Sequence, residues 1–392
     1  MMFARKISAA LLLTCVGLTP LFSQSVDIKV GNDETIKLTP SGRIYMDGAA
    51  FLEDETDLGN GVALPDIRLG LKAKYKAFDM KVDVGFANNK VSAKDIFLQY
   101  NLNKSSYIRG GHFAEPFGID HMESSGNIKF ITANATSNAF SPGRKLGIEY
   151  IGWNKYVWVG AGLFGDGDAI NNSIEGDDGY SATGRLAFTP SKEEGKILHI
   201  GLAGSYRKAD ASGYAADGSQ NPKKIAYGSS LLTNIEKRKF LNASISDADY
   251  QAKYAIELIG AYGPVFLQAE YFHSNVERKN DLAAYKASGA YAQLGFLALG
   301  GNYTYSSSWA RMGFPKPGSL EFAVRYNYTD LNDDHSQIMG GRMSDISVAA
   351  NYYLNKYVMF RLNYSNMKLG NKNPIAAGET INSIQGRIQV VF

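Results

Sequence analysis

Ile384-Gln385-Gly386-Arg387-Ile388-Gln389-Val390-Val391-Phe392 is the stretch whose reading decides the fold. Apolar or small residues stand at 384, 386, 388, 390 and 392. Polar ones stand at 383, 385, 387 and 389, and Val391 interrupts the order near the end. A period of two sends successive side chains to opposite faces of a strand. One face here is greasy and the other carries an arginine and glutamines, so the two faces meet different solvents.

The opposite end of the chain agrees. Arg5-Lys6 precedes an apolar run from Ile7 to about Phe22, followed by Ser23-Gln24-Ser25. A basic segment, an apolar segment and a small-residue exit read as a secretory signal peptide over residues 1–24. The single cysteine, Cys15, lies inside it behind Thr14, which argues against lipidation and leaves a mature chain without disulfides. Beyond the signal no run of 18 apolar residues occurs, so no spanning helix is expected. A barrel needs none, because only every second residue of each strand meets lipid. The 24 Tyr and 20 Phe suit aromatic girdles at membrane interfaces, and the 41 Gly suit tight turns. The net charge is +3, and two of those charges leave with the signal, so a nucleic-acid partner is not expected.

Residues 25–41 read as a short polar lead-in, and 42–392 as one barrel domain. Strands are expected at about 42–53, 64–76, 78–87, 93–102, 106–113, 145–152, 155–164, 180–189, 197–206, 248–260, 264–275, 288–300, 318–330, 344–354, 357–367 and 381–392. Ile67, Leu69, Leu71, Ala73 and Tyr75 alternate with Asp66, Arg68, Gly70, Lys72 and Lys74. Phe322, Val324, Tyr326 and Tyr328 alternate with Glu321, Arg325 and Asn327. A soluble sandwich also alternates. The even strand number, the signal peptide and the succession of short and long connections favour a sixteen-stranded antiparallel transmembrane β-barrel of the outer-membrane type. Lys76-Ala77, Asn154-Lys155 and Asn355-Lys356 are short turns, whereas 114–143 and 207–247 are long loops. Residues 301–317 break the rule, being long on the periplasmic side, so either the strand count slips there or the segment folds into the lumen from below.

Several segments resemble the phosphate-selective porin O/P family. They include Gly42-Arg43-Ile44-Tyr45-Met46-Asp47-Gly48-Ala49, and Tyr107-Ile108-Arg109-Gly110-Gly111-His112-Phe113 followed by Pro116-Phe117-Gly118. Phe140-Ser141-Pro142-Gly143-Arg144-Lys145-Leu146-Gly147 and Gly318-Ser319-Leu320-Glu321-Phe322-Ala323-Val324-Arg325-Tyr326 follow in order. The resemblance implies a homotrimer in outer-membrane lipid, with the third and fifth outer loops folded into the pore. It also implies an inward-folding turn before the thirteenth strand, which accounts for 301–317. Pro116, Phe117, Gly118, Lys129 and Arg144 then belong to the constriction loop. A strand ending on Phe392 resembles the ends of bacterial outer-membrane barrels and implies a signal for the insertion machinery. The chain departs from the phosphate-conducting members at two places. Ala114-Glu115 stands where they carry a lysine, and Ile131-Thr132-Ala133 follows Phe130 where they carry an acidic-basic pair.

An ion leaving bulk water must be compensated by fixed charge or dipoles in the pore. Alternation points slightly more basic than acidic side chains inward. Arg68, Lys72, Lys74, Arg109 and Arg325, from the family-like segments, are the candidates for a basic path, the alternative being cross-strand ion pairs in a wet lumen. The acidic run Asp166 to Asp178 lacks the ligand spacing of a calcium loop, so no metal site is expected. Lys223-Lys224 and Lys237-Arg238-Lys239 put positive charge on the loop 207–247, to steer anions, bind lipid sugars or simply be solvated. No Gly-x-Ser-x-Gly or His-Glu-x-x-His occurs, and the five histidines are scattered, so neither an enzyme nor a cofactor is expected. The function expected is passive conduction of small hydrophilic solutes with a weak preference for anions, phosphate among them. The alternative is a plugged barrel acting as a receptor, adhesin or assembly partner.

Overall fold

The structure is a computed structural model that describes residues 24–30, 34–52, 55–166, 175–221 and 224–392. The signal-peptide reading, apart from Gln24, lies outside them, as do Asp168 and Lys223 of the loop readings. In chain order the strands begin with β1 (Val26–Val30), β2 (Glu34–Leu52), β3 (Gly61–Tyr75), β4 (Phe78–Gly85), β5 (Ser92–Asn103), β6 (Ser106–Ala114) and β7 (Arg144–Trp153). Next come β8 (Val157–Gly165), β9 (Tyr180–Glu193), β10 (Lys196–Lys208), β11 (Ile225–Ser229), β12 (Leu241–Ile245), β13 (Ala248–Tyr262) and β14 (Val265–Arg278). The last are β15 (Tyr285–Leu299), β16 (Tyr305–Ser306), β17 (Arg311–Met312), β18 (Leu320–Asp333), β19 (Ile338–Tyr352), β20 (Val358–Leu369) and β21 (Thr380–Val391). Two short helices, α1 (Ile119–Met122) and α2 (Ala135–Phe140), lie between β6 and β7.

Setting aside β1 and the two hairpins β11–β12 and β16–β17, the other sixteen strands pair antiparallel with their neighbours in chain order. β21 then pairs with β2 from Arg43↔Val391 to Leu52↔Asn382 and closes the barrel. Its exposure pattern is inverted relative to a soluble protein. Along β18, Phe322, Val324 and Tyr326 are 47%, 41% and 52% exposed, whereas Glu321, Arg325 and Asn327 are 2% or less. An apolar outside around a charged inside is stable only when the outside meets hydrocarbon.

The lead-in expected over 25–41 is mostly strand. β2 runs on past the end of β21, and β1 pairs with Glu34–Leu38 on the edge that β21 has left. Unpaired ladder groups on that edge are thereby satisfied. Where the two meet, the Gly42 N–H donates to the Phe392 carbonyl at 2.8 Å and the Phe392 N–H donates to the Gly42 carbonyl at 2.9 Å. The Phe392 ring lies where a Cβ on Gly42 would stand, so the glycine makes room for it.

The lumen is filled from three directions. The outer loop between β6 and β7 folds inward with α1 and α2. The loop between β10 and β13 carries the hairpin β11–β12 into the same space, where Tyr227, Leu231, Phe240 and Leu241 join Phe117, Phe140 and Phe272 in one apolar core. From the periplasmic side residues 301–317 turn inward with β16–β17, burying Tyr303 and Ala310.

Removing Phe392 deletes both backbone bonds at the foot of the seam and the ring packed on Gly42. We expect the heat-modifiable, folded fraction recovered from membranes to fall sharply while synthesis continues. Undiminished assembly of the shortened chain, read by gel shift with and without boiling, would show that this closure is dispensable.

Candidate pore and constriction

The loop between β6 and β7 decides how the lumen charges are used. It leaves the wall at Pro116-Phe117-Gly118. Gly118, at φ 78°, takes a backbone conformation that favours glycine. The Glu270 carboxylate on β14 accepts the N–H groups of Ile119 at 2.7 Å and Asp120 at 3.2 Å, which seats α1 against the far wall. Asn134 caps α2 by accepting the Ser137 N–H at 2.8 Å.

Wall cations then grip the loop by its carbonyl oxygens. Arg361 on β20 donates to Phe130 at 2.9 Å and to Gly126 at 2.5 Å. Arg325 on β18 donates to Thr132 at 3.3 Å, its guanidinium 4.1 Å from the Phe130 ring centre. Lys253 on β13 donates to Phe140 at 2.9 Å. Lys129 pairs with Glu321 at 3.0 Å, and Glu321 also accepts from Tyr303 at 2.7 Å and Tyr353 at 2.6 Å. One buried carboxylate thus ties the outer loop to the periplasmic insertion. On the loop itself, burial raises the Asp120 carboxyl against the pull of Arg325, while Gln268 and Asn134 donate to it at 2.9 and 3.0 Å.

In front of the loop, along β2–β7, lies a cavity of about 1240 Å³. Among the described residues, twelve cationic and six carboxylate side chains line it. Arg43 and Arg68 share Asp66 at 2.5 and 2.8 Å, and Arg144 and Lys81 share Asp95, both at 2.8 Å. Lys37, Lys72 and Lys74 also line it, and none has an acidic partner among the described residues. Lys237 and Lys239 enter from the β11–β12 loop. Arg311 pairs with Glu123 at 2.6 Å on the periplasmic side. His121, also on the cavity, is pushed down to about 3 by burial first and then by the charges of Arg144 and Lys253, so it stays neutral near pH 7.

The residues singled out from sequence therefore divide. Arg68, Lys72, Lys74 and Arg144 face the cavity. Arg109 reaches it but is held by Glu149 at 2.5 Å and packed 4.2 Å from the Phe113 ring centre. Arg325 and Lys129 lie behind the loop rather than on the cavity, because the carbonyl and the carboxylate they serve are there. Pro116, Phe117 and Gly118 are buried in the hinge, with Phe117 6.0 Å from Phe272, ring centre to ring centre. Sequence reasoning passed over Arg43, which donates to Ser124 at 2.8 Å and Ser125 at 2.9 Å across the cavity. It lies on the inward register of the first family-like segment, which was signal enough to find it.

A family model described as phosphate-selective porin O and P matches residues 41–392. The chain is 24% identical to Porin O of Pseudomonas aeruginosa over 378 residues, 88% of this chain and 82% of the relative. It is likewise 24% identical to an uncharacterized protein of Caulobacter vibrioides over 355 residues, 86% and 69% of the two chains. Among solved structures, an anion-selective porin from Comamonas acidovorans superposes with a TM-score of 0.60 at 12% identity, covering 91% of this chain and all (100%) of that one. OmpT of Vibrio cholerae in its trimer form gives 0.57 at 11%, covering 91% and 99%. The chain belongs to the phosphate-selective porin O and P family, and is a β-barrel porin of the bacterial outer membrane.

Arg361→Gln should break the grip without breaking the barrel. Hydrogen bonds from a charged group contribute roughly 1.5–3 kcal/mol each, and buried carbonyls left bare cost about 1–3 kcal/mol. We expect unchanged heat-modifiable migration, noisier single-channel current and new tryptic cleavage after Lys129, which is buried in the wild type. Resistance to trypsin equal to wild type, with equally quiet current, would show that the loop stands without this anchor.

Proposed function

We propose that this member of the family conducts small hydrophilic solutes passively through the cavity along β2–β7, with a weak preference for anions. The observation that carries the reading is the twofold excess of cationic over carboxylate side chains on that cavity, in a chain that is close to neutral overall. A charged, low-dielectric passage focuses its field, so a modest excess selects more strongly than the same charges on an open surface. The preference is weak because Arg43, Arg68, Arg144 and Lys81 are already shared with Asp66 and Asp95. Phosphate is one anion that fits. The arrangement favours a channel over an enzyme, since the charged groups form a path along the wall.

The apolar core shared by the β6–β7 and β10–β13 loops favours the rival reading, a plugged barrel with a surface role. The charged cavity left in front of that core supports conduction instead. We further propose a homotrimer in outer-membrane lipid, assembled by the insertion machinery, in line with the trimeric OmpT of similar fold.

Replacing Arg68, Lys72 and Lys74 together by Gln should move the zero-current potential toward cations in a salt gradient. The shift should shrink as the Debye length falls from about 10 Å at 0.1 M to about 3 Å at 1 M. Normal assembly with unchanged selectivity at low salt would remove these three from the path.

A further inference from the structure

We propose that the pore favours organic anions that carry several hydroxyl groups, of the sugar-acid or sugar-phosphate kind, over inorganic anions and over unhydroxylated carboxylates of equal length. The inference rests on the anion-conducting reading and adds what the solute's neutral part must be.

The two sides of the cavity differ in chemistry. The barrel side carries most of the arginines and lysines, with Lys237 and Lys239 added from the β11–β12 loop and Arg311 from the periplasmic insertion. The loop side offers hydroxyls and amides: Ser125, Thr132 and Asn138 from the β6–β7 loop, and Ser230, Thr233 and Asn234 from the β10–β13 loop. The two loop carboxylates that touch the cavity are already taken. Asp120 accepts from Gln268 and Asn134, and Glu123 pairs with Arg311. A solute between the sides therefore meets most of the positive charge on one flank and mostly uncharged hydrogen-bonding groups on the other. A small inorganic anion has no neutral part to lay along the second flank.

A second observation points the same way. Among the described residues, five polar atoms of cavity-lining side chains are buried and make no hydrogen bond within the protein: Tyr45 Oη, Arg43 Nε, Arg387 Nη1, His121 Nε2 and Arg109 Nε, the last of these held in the ion pair with Glu149. Tyr45 is 1% exposed, its ring between the Arg43 and Arg387 guanidiniums at 4.9 and 4.7 Å. Buried polar groups without partners are uncommon in native proteins. Burial keeps the His121 ring neutral, so its Nε2 meets a solute as a hydrogen-bonding atom and not as a charge. A neutral hydrogen-bonding atom in a cationic passage selects for a solute that brings hydroxyl groups. A simple carboxylate brings none, and a sugar acid brings several.

The test measures chloride current through the wild-type protein in planar bilayers while competing anions are added. Gluconate and hexanoate share six carbons and one carboxylate and differ in the hydroxyls. We expect gluconate to halve the current at about one-tenth the concentration of hexanoate, equivalent to about 1.4 kcal/mol. That is what one or two net hydrogen bonds supply. Glucose 6-phosphate against inorganic phosphate gives the second arm, and the stronger arm identifies the head group. The double variant His121→Leu, Thr132→Val should bring the gluconate-to-hexanoate ratio toward one. Equal half-blocking concentrations in both wild-type arms overturn the inference while leaving anion conduction intact. A cation-preferring zero-current potential overturns the conduction reading itself. Should the double variant fail to assemble, the wild-type ratios decide alone.

Discussion

Hydrocarbon offers no hydrogen-bond partner to a peptide group, and this governs everything else in the molecule. Each strand must give its N–H and carbonyl groups to its two neighbours, and the last ladder, β21 on β2, must meet the first. β1 completes the same requirement below the seam by covering the edge of β2 that β21 leaves free. Once the ladder is closed, alternation has a single solution. Apolar side chains take the lipid side and charged ones the inside.

A closed ring of this size has an interior that its own inward side chains do not fill. The chain fills one half with loops and leaves the other half open. The filled half is built like the core of a soluble protein, with Phe117, Phe140, Tyr227 and Phe240 packed together. The loops bring backbone carbonyls into that half, and Arg325, Arg361 and Lys253 satisfy them. Elsewhere buried ions meet directly, as Asp47 and Arg387 do across the seam at 2.6 Å. Removing one partner from such a pair is costly because it strands the other charge. The lumen charges of this half hold loops in place, so most of the charge that faces the cavity is that of the β2–β7 side, with Lys237 and Lys239 added from the β10–β13 loop.

At the outer rim, Glu236 accepts the Gly59 N–H at 3.1 Å and pairs with Arg238 at 2.7 Å, and these bonds hold its carboxyl down at about 2. The contact links the β2–β3 loop to the β10–β13 loop. The basic group Lys237-Arg238-Lys239 is divided by it. Arg238 serves the link, whereas its two neighbours line the cavity. Three consecutive cations in the sequence thus do two different things.

The sixteen barrel strands were legible because a period of two is a local property, and Ile67 to Tyr75 or Phe322 to Tyr328 display it within nine residues. The inward turn of 301–317 was one of two readings that its length allowed, and family resemblance chose between them. The hairpin β11–β12 was missed although Ile225 to Ser229 and Leu241 to Ile245 do alternate, because five-residue segments inside a long loop give a weak signal. Local order settled which side of the wall each charge faces. It left open which inward charges meet solute. Arg68 and Arg325 have the same register and similar neighbours in sequence, yet Arg68 lines the cavity and Arg325 lies beneath Phe130, 195 positions away in the chain. That difference depends on where the β6–β7 loop comes to rest, which is set by carbonyls and carboxylates far apart in sequence, and only the tertiary structure brings those together.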